Sequence, residues 1–402
     1  MKKVNIGFIG AGAFISSTHL ITASRTDFIN IAAVADLNEE LLKKHSERYR
    51  VGYTTTDYKR VLADPEIALV VIGTKQDLHA SLIVESLEAG KWVWCEKPMC
   101  ETEEEAERIL DAEQRNPGKL AIGFNRRFAP AYTAALEALK KRPRPWFVNY
   151  RMQAYCYDKK VKDNFYLHRP SIVYEGCHLL DLASFIFGEP PCRVFMSGPE
   201  NSDNDCVLLE YRDGSRFQLL TTNTAGNGAL GKEFAEFFAA NLAVSVDNFV
   251  DLKLRGEAGE QDRIFPPAWG RFAADTERYG YDFLETLRAQ LAQPDKQVVS
   301  MPPVRRGYRE RPYEKRVAEI FAELEDRHWT ERNFNMPKGW EEAFRHFALA
   351  CLNQTEPANA DGRAGKLAND IAFALLESKK SGLPQIFPQR SADCAAAPGT
   401  GN

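Results

Sequence analysis

The first 125 residues alternate short apolar runs with segments of helical periodicity. The run Val4–Ile9 precedes a helical segment at 13–24, and the run Ile29–Ala35 precedes an amphipathic segment at 38–50. Continuous apolar strands separated by helices are typical of a parallel sheet that is covered by helices on both faces. The sequence therefore predicts an α/β domain with a doubly wound parallel sheet over residues 1–125.

The pattern changes after about residue 125. Several later runs alternate apolar and polar residues with period two, which indicates strands with one buried face. A helical segment at 177–187 ends at Gly188. We predict a second domain over 126–390, of the α+β class, with an open and mainly antiparallel sheet. Its predicted strands are 146–152, 194–196, 207–211 and 217–222.

Two segments of this second part have an unusual composition. Residues 251–340 are rich in arginine, proline and aromatic residues and carry no catalytic motif that we recognise. We interpret them as an atypical insert. Residues 391–402 contain mainly small residues, and we predict a disordered tail there.

Composition and charge exclude several classes of protein. A chain of 402 residues is long enough for two domains, and 44% hydrophobic with 27% charged residues is typical of a globular protein. The formal charge of −4 gives no general attraction for nucleic acid or anionic membranes. No run approaches the roughly 20 apolar residues of a membrane helix. The eight scattered cysteines form no C-x-x-C pair, so we expect no metal site and a reducing, cytoplasmic location.

A glycine-rich loop follows the first strand. Gly10 allows a tight turn, and Gly12 lets the backbone approach a pyrophosphate at the helix N-terminus. Ala13 and Phe14 complete the predicted binding loop. Ile15 stands where the usual fingerprint has a third glycine, so the helix must pack on the strand differently here.

An acid at the end of the second strand supports a dinucleotide site. Asp36 lies 24 residues after Gly12, where a carboxylate accepts hydrogen bonds from a ribose diol and repels a 2′-phosphate. The alternative is that Asp36 only caps the next helix. Together the loop and the acid predict NAD rather than NADP as cofactor. Thr74 and Gln76 follow the fourth strand and are predicted to face the cofactor; His79 either contacts it or caps a helix.

The strand 92–95 delivers Glu96, Lys97 and Pro98 at its carboxyl end. Open parallel sheets bind ligands at the carboxyl ends of their strands. A lysine at that edge can hold or transfer a proton, and the proline fixes the backbone just after it. This tripeptide is therefore a candidate for the reacting end of the site.

Four motifs occur together in a characteristic order. The glycine loop, Glu96-Lys97-Pro98, the segment 123–128 and the segment 176–181 resemble the glucose–fructose oxidoreductase / inositol dehydrogenase / rhizopine-catabolism (Gfo/Idh/MocA) family over about residues 1–250 and again over 340–384. The resemblance implies a Rossmann domain and an α+β domain with an open sheet. It also implies hydride transfer between NAD and a sugar or cyclitol carbon in a dimer or tetramer, with Glu96, Lys97 and Asn125 near the cofactor.

The resemblance also implies roles for Lys97 and His178. Oxidation of a carbinol requires removal of its hydroxyl proton as the hydride leaves. Lys97 could be the base if its pKa, about 10.4 when free, fell to roughly 7–8. Alternatively, a charged Lys97 holds the hydroxyl while His178, ordinarily near pKa 6.5, takes the proton. A third possibility is that His178 is only a core histidine.

This sequence departs from the family pattern beside the histidine. Where inositol dehydrogenases carry an aspartate, this chain has Tyr174, with Glu175 next to it. Either residue could stand in for the aspartate, or the reaction could differ. Asp181 could orient His178 or simply continue the helix. The predicted substrate-binding residues are Arg126, Arg127, His168 and Asp181, with at least one of the arginines expected to be structural.

Three functions remain open from the sequence. The first is an NAD-dependent oxidoreductase that acts on a sugar, sugar derivative or cyclitol. The second is a glycoside hydrolase on the same framework, in which NAD transiently oxidises a ring hydroxyl to permit elimination of the leaving group. The third is a regulator that senses the cofactor without turnover, although Lys97 and His178 argue against it.

Overall fold

The computed structural model describes the chain in several ranges, and every structural statement below concerns these residues. They are 2–153, 170–199, 202, 204–222, 232–256, 259–265, parts of 275–287, 313–325 and 336–387. His168 and the predicted tail at 391–402 lie outside them, as does most of the predicted insert.

The first sheet is parallel and has the strand order β3-β2-β1-β4-β5-β6. Its strands are β1 (Val4–Ile9), β2 (Ile29–Ala35), β3 (Tyr53–Thr55), β4 (Leu69–Ile72), β5 (Trp92–Cys95) and β6 (Leu120–Ile122). Nearly every residue of β1, β4 and β5 is buried, because helices cover both faces. The predicted doubly wound domain is confirmed. Its carboxyl edge presents the loops after β1, β4 and β5 on one side of the sheet.

The helices around this sheet begin where side chains cap them. Asn38 accepts a hydrogen bond from the Leu41 N–H at 3.0 Å, and Thr102 forms a capping box with Glu105. The helix predicted at 13–24 is two short helices that meet at Thr18. The helices are α1 (Ala13–Ser17), α2 (His19–Ser24), α3 (Glu39–Arg48), α4 (Tyr58–Ala63), α5 (His79–Glu88) and α6 (Glu103–Arg115).

The second sheet is open, with nine strands in the described part of the chain. Only β7 and β10 pair in parallel, so the prediction of a mainly antiparallel sheet is confirmed. The strands are β7 (Phe147–Gln153), β8 (Arg193–Ser197), β9 (Asp205–Glu210), β10 (Arg216–Thr222), β11 (Glu233–Ala239), β12 (Leu242–Asp247), β13 (Asp251–Gly256), β14 (Gln261–Ile264) and β15 (Gln385–Ile386).

One face of the second sheet is buried. Tyr150, Phe217 and Phe237 point into this core, as period-two alternation requires. Helix α9 ends at Gly188, whose φ of 69° is left-handed. The described helices that follow the first sheet in the chain are α7 (Pro130–Leu139), α8 (Ser171–Tyr174), α9 (Cys177–Phe187), α10 (Glu314–Glu325), α11 (Trp340–Asn353) and α12 (Gly362–Ser381).

Helix α11 packs against the first sheet although it comes more than 200 residues later in the chain. Phe344 and Phe347 are fully buried, and their rings lie 5.5 and 6.1 Å from the ring of Trp94 on β5. The same packing places the segment just before α11 beside the carboxyl edge of the first sheet. The predicted division at residue 125 remains a prediction, and the core of the first sheet includes α11.

None of the described helices is both long and apolar enough to cross a membrane.

Candidate active site

The loop after β1 is a tight turn with space beside it. Gly10 has a φ of +82°, and a Cβ there would lie 2.7 Å from the carbonyl oxygen of Gly73. A Cβ on Gly12 would meet nothing within 4 Å. Gly12 therefore leaves room for another molecule at the start of α1.

Asp36 is tied to this loop. Its Oδ2 accepts a hydrogen bond from the Ala11 N–H at 2.8 Å, and its Oδ1 accepts one from the Asn38 N–H at 2.9 Å. The cap of α3 is Asn38, so the interpretation of Asp36 as a mere helix cap is not supported. The carboxylate stands at the end of β2 with further lone pairs available to a diol.

His45 on α3 also contacts the glycine loop. The sequence analysis did not identify this residue. Its Nε2 lies 3.0 Å from the Ala11 carbonyl oxygen and 3.1 Å from Ser16 Oγ. Burial lowers its pKa, so the ring is neutral near pH 7. Asp36 and His45 thus bind the N–H and the carbonyl of one residue, Ala11.

A cleft of about 450 Å³ opens at the carboxyl edge of the first sheet. Its walls come from the glycine loop, from the loops after β4 and β5, and from residues that follow the first sheet in the chain. The lining residues are Gly12, Ala13, Phe14, Ile15, Gly73, Thr74, Gln76, His79, Glu96, Lys97, Arg126, Glu175, His178, Lys232, Met336, Lys338 and Trp340.

Glu96 is held inside the wall of the cleft. Its Oε1 lies 2.7 Å from His19 Nε2 and accepts a hydrogen bond from Trp94 Nε1 at 3.1 Å. Burial raises the pKa of Glu96, but His19, Trp94 and Lys97 outweigh burial and leave the pKa below its ordinary value. The carboxylate is therefore ionised and fixes the strand end that carries Lys97.

His79 joins two of the loops. Its Nδ1 lies 2.8 Å from the Pro98 carbonyl oxygen and its Nε2 lies 3.3 Å from that of Thr74. Burial lowers the pKa of His79. A neutral ring has one N–H and donates to only one carbonyl at a time; the shorter contact, from Nδ1 to Pro98, ties the start of α5 to the segment that follows Lys97.

Lys97 is positioned by the last residues of α8 and the turn that follows it. Its Nζ donates a hydrogen bond to the Tyr174 carbonyl oxygen at 2.6 Å and lies 3.8 Å from Glu175 Oε1. The Tyr174 hydroxyl donates to Glu101 at 2.9 Å, and its side chain does not line the cleft. Of the two candidates for the missing aspartate, the structure brings Glu175 to the lysine.

Glu175 is buried among cations. Lys232 Nζ lies 3.7 Å from its Oε2, on the opposite side from Lys97. Burial raises the pKa of Glu175, but Lys232, Lys97, Arg126 and Lys338 outweigh burial and hold the pKa well below its ordinary value. The group is a permanent carboxylate at neutral pH.

His178 lines the cleft from the first turn of α9. Its Nδ1 is buried without a hydrogen-bond partner, and its ring meets the edge of Phe124 at 5.9 Å. Burial lowers its pKa well below the ordinary value, and Arg126 and Lys97 lower it further. The imidazole is neutral and can accept a proton.

Comparison with known proteins finds a family match for the N-terminal domain. The GFO_IDH_MocA family model, described as an oxidoreductase family with an NAD-binding Rossmann fold, matches residues 4–124. Over these residues the chain is similar to the Gfo/Idh/MocA family. The resemblance predicted from the motifs is confirmed. Gly12, with open space at its Cβ, and the anchored Asp36 carboxylate are consistent with an NAD-binding Rossmann domain.

Relatives extend the match beyond this domain. The levoglucosan dehydrogenase of Pseudarthrobacter phenanthrenivorans is 28% identical over 205 residues, which are 47% of this chain and 52% of that protein. An inositol 2-dehydrogenase/D-chiro-inositol 3-dehydrogenase of Shouchella clausii is 26% identical over 223 residues, 52% of this chain and 63% of that protein. The chain thus spans between 52% and 63% of the length of these curated relatives.

A solved structure shares the fold of this chain. A levoglucosan dehydrogenase in complex with NADH superposes with a TM-score of 0.70 over 96% of this chain and 100% of that chain, at 18% sequence identity. The agreement includes the second sheet, which lies outside the range of the family model.

The two arginines predicted to bind substrate are both paired with carboxylates. Arg126 forms two hydrogen bonds with Glu233, at 2.9 and 2.6 Å, and Arg127 forms two with Asp181, at 2.8 and 2.5 Å. Asp181 therefore bonds to Arg127. Its bonds do not orient His178. Arg126 still lines the cleft, whereas Arg127 and Asp181 do not.

Most of the predicted site residues meet in the one cleft. Asn125 does not line it, because its Nδ2 donates to the Lys338 carbonyl oxygen at 2.7 Å. The predicted residues that line the cleft are Gly12, Ala13, Phe14, Thr74, Gln76, His79, Glu96, Lys97, Arg126, Glu175 and His178. Those outside its lining are Gly10, Asp36, Asn125, Arg127, Tyr174 and Asp181.

Sequence reasoning missed several residues that line the cleft. Lys232, Met336, Lys338 and Trp340 come from the second half of the chain. The sequence carried a signal only for the last of these segments, where Gly339 directly precedes the helix that begins at Trp340. Within the described residues, no group of three or more His, Cys, Asp or Glu side chains could hold a metal ion.

Proposed function

We propose that this chain is an NAD-dependent dehydrogenase that moves a hydride between nicotinamide and a ring carbon of a sugar, sugar derivative or cyclitol. The observation that carries the proposal is the shared cleft, where the glycine loop lies beside Lys97, Glu175 and His178. The names of the levoglucosan and inositol dehydrogenases support a carbohydrate or cyclitol as the substrate class.

The residues at the reacting end divide the proton chemistry between them. NAD, when bound, accepts or returns the hydride. Lys97, held by the Tyr174 carbonyl and near the Glu175 carboxylate, donates a hydrogen bond to the substrate hydroxyl oxygen and stabilises negative charge that develops there. The neutral His178 ring accepts the hydroxyl proton. Of the two schemes open from the sequence, these contacts favour histidine as the base.

Glu175 is proposed to replace the aspartate of the family pattern. Lys97 and Lys232 lie 3.8 and 3.7 Å from its two oxygens, so the carboxylate fixes the position of both ammonium groups. Glu175 is thus a positioning residue for Lys97.

One assay separates the three functions. The purified chain is incubated with NAD and a panel of free sugars, cyclitols and aryl glycosides, and absorbance at the NADH band is followed together with release of the aglycone. A dehydrogenase forms one NADH for each substrate oxidised. A redox-assisted hydrolase releases aglycone with catalytic NAD and no net NADH. A regulator binds NADH and catalyses neither reaction.

We also propose that the protein forms a homo-oligomer through the second sheet. Phe147 on β7 and Phe238 on β11 lie directly opposite each other and are 47% and 39% exposed, and Leu220 lies on the same face at 40%. Apolar side chains on one open face support burial against a second copy. Light scattering on the purified chain and on Phe147→Glu tests this: loss of the larger species is expected in the variant.

A further inference from the structure

An indole that is distant in sequence lies at the glycine loop. Trp340, the first residue of α11, lines the cleft and is half-buried. Its ring centre lies 5.5 Å from that of Phe14, and the two rings meet edge to face at 77°. Phe14 follows Gly12 by two residues and is 40% exposed. The cofactor loop and α11 thus present two aromatic rings, here called the aromatic pair, to one space.

The backbone on both sides of Trp340 is packed against other parts of the protein. Gly339 lies so close to Asn125 that a Cβ would be 2.4 Å from the Asn125 carbonyl oxygen. One turn further along α11, Phe344 is fully buried, and its ring lies 5.5 Å from that of Trp94. The indole is therefore held at the cleft before any ligand binds, which reduces the entropy that is lost on binding.

The docking of α11 on the first sheet is explained by other residues. Phe344 and Phe347 are fully buried and belong to the core that this helix shares with the sheet. Among the described residues Trp340 is not a member of that core, and it remains partly accessible in the cleft. Phe14 is likewise partly exposed there. Large apolar side chains that stay exposed in a concave site indicate a surface for a ligand.

The position of the aromatic pair within the cleft indicates which part of the dinucleotide it contacts. Gly12, which leaves room for a pyrophosphate, lines the same cleft, as does Lys97 at the reacting end. Asp36, the predicted partner of the adenosine ribose, does not line it. The part of NAD that extends from the pyrophosphate to the reacting carbon is the nicotinamide nucleoside. Its flat ring packs favourably against aromatic side chains.

We propose that Trp340 is a cofactor-binding residue and that the aromatic pair, Phe14 and Trp340, forms the surface on which the nicotinamide ring of NAD packs. The cofactor site is then composite, because the loop after β1 supplies one ring and α11 supplies the other. Lys338, whose Nζ lies 5.4 Å from the centre of the Trp340 ring, helps to fix the indole at the cleft. This role requires NAD as the cofactor, as in the proposed function, but holds for any substrate.

Calorimetry of the full chain with NADH and with ADP-ribose, without any sugar, tests the proposal. ADP-ribose contains the adenosine, the pyrophosphate and the second ribose but has no nicotinamide. Trp340→Leu should weaken NADH about tenfold, the scale of a lost aromatic contact, and should change ADP-ribose less than about twofold. Trp340→Phe keeps a flat ring and should recover most of the affinity for NADH. Phe14→Leu should cause the same selective loss as Trp340→Leu.

Trp92→Leu is the matched control. Trp92 also contacts α11, since its ring lies 5.4 Å from that of Phe347, but it does not line the cleft. The same change from indole to leucine there should lower the free energy of unfolding and leave the ratio of NADH to ADP-ribose affinity at its wild-type value. Within one variant, partial unfolding lowers the binding capacity for both ligands. The ratio therefore reports the contact with nicotinamide and not the stability of the protein.

The ratio of the two affinities in Trp340→Leu decides between the outcomes. Equal weakening of NADH and ADP-ribose, or no weakening of either, overturns the proposal. Selective loss of NADH in Trp92→Leu as well would make the docking of α11 the cause and also overturns it. Selective loss in Trp340→Leu and not in Trp92→Leu, with no oxidation of any sugar, supports the role of Trp340 and refutes the dehydrogenase. Oxidation of a sugar with an unchanged ratio in Trp340→Leu does the reverse.

Discussion

The Ile15 side chain on α1 packs directly on the backbone of Gly73, the residue after β4: a Cβ on Gly73 would lie 2.1 Å from Ile15 Cγ1. The usual fingerprint places its third glycine at the position of Ile15, so that helix and strand can approach closely. In this chain the helix carries Ile15 at that position, and the residue without a side chain is Gly73, directly after β4. The helix can therefore still approach the sheet closely, because Gly73 leaves the space that the Ile15 side chain fills.

Gly73→Ala should therefore lower the free energy of unfolding by about 1–3 kcal/mol, the scale of overpacking in a well-packed core. Chemical denaturation measures the loss. The double variant Gly73→Ala/Ile15→Ala should recover most of it, because the added methyl group then has space. If the double variant is no more stable than Gly73→Ala alone, the contact with Ile15 is not the cause.

Asp36→Ala should weaken NADH binding by roughly 10- to 100-fold, which corresponds to about 1.5–3 kcal/mol for hydrogen bonds to a charged acceptor. The variant loses acceptors for the ribose and also frees the Ala11 N–H. Fluorescence titration with NADH measures the change. Asp57→Ala is the control. Asp57 caps α4, away from the glycine loop, so its replacement should lower the free energy of unfolding by only about 1 kcal/mol. Equal NADH affinity in both variants would place the ribose elsewhere.

Lys97→Ala should lower kcat about 10²- to 10⁴-fold and leave NADH binding nearly intact, because Lys97 contacts the reacting hydroxyl in the proposed mechanism. Steady-state kinetics and NADH titration measure the two effects. Lys59→Ala, on the exposed face of α4, is the control and should keep full activity. An unchanged rate in Lys97→Ala would remove the lysine from the mechanism.

Glu175→Gln and Tyr174→Phe should differ in their effect on rate. Glu175→Gln removes the carboxylate near Lys97 and should lower kcat/KM about 10- to 100-fold, by analogy with the loss of a supporting carboxylate in other sites. Tyr174→Phe keeps the backbone carbonyl that binds Lys97, so its rate should change less than about threefold. The reverse order would make Tyr174 the substitute for the family aspartate.

The pH profile of oxidation should keep its plateau below pH 6.5. Burial and the cations hold the pKa of His178 well below its ordinary value, so the ring remains a competent base as the pH falls through 6. Below about pH 6.5 His178 binds a proton in the unfolded chain but not in the folded one. The free energy of unfolding therefore decreases as the pH is lowered. An acidic limb of kcat/KM centred at about pH 6.5 would assign the base to a more exposed group.

Glu113 should make the protein less stable as the pH rises. Burial raises its pKa to about 7, and its Oε1 accepts a hydrogen bond from the Gly362 N–H at the start of α12. A raised pKa contributes stability that is complete below about pH 4.5 and lost as the pH passes 7.

Glu113→Gln should thus gain about 1–2 kcal/mol over the wild type at pH 8, after allowance for partial exposure, and nothing at pH 5. Urea unfolding at the two pH values tests this. Asp111→Asn, exposed on the same helix, should show no such difference between the two pH values.

The fold and the cofactor loop could be predicted because their signals are local. Glycine spacing, an acid 24 residues later and strand–helix alternation all act within one βαβ unit. The partners of the two arginines could not be predicted. Arg126 pairs with Glu233, 107 residues away, and Arg127 with Asp181, 54 residues away. Any acid after residue 128 could have been the partner, and only packing selects one.

The substrate side of the cleft was the least predictable part. Lys232 precedes a strand and Lys338 precedes a helix, and neither position carries a pattern that distinguishes a lining lysine from a surface one. Glu175 could be named as a candidate only because it sits beside the position of the family aspartate. Which of the two neighbours faces Lys97 depends on the turn between α8 and α9, where Tyr174 is directed to Glu101.

The docking of α11 on the first sheet has a consequence for experiments that divide the chain. Phe344 and Phe347 contribute to the core around Trp94, so a fragment that stops after β6 exposes the aromatic surface they cover. An exchange of cofactor domains between relatives must therefore carry two separate stretches of sequence, the one that ends with β6 and the one that contains α11. On the ribosome, this core is completed only after Phe347 has emerged, more than 200 residues after β6.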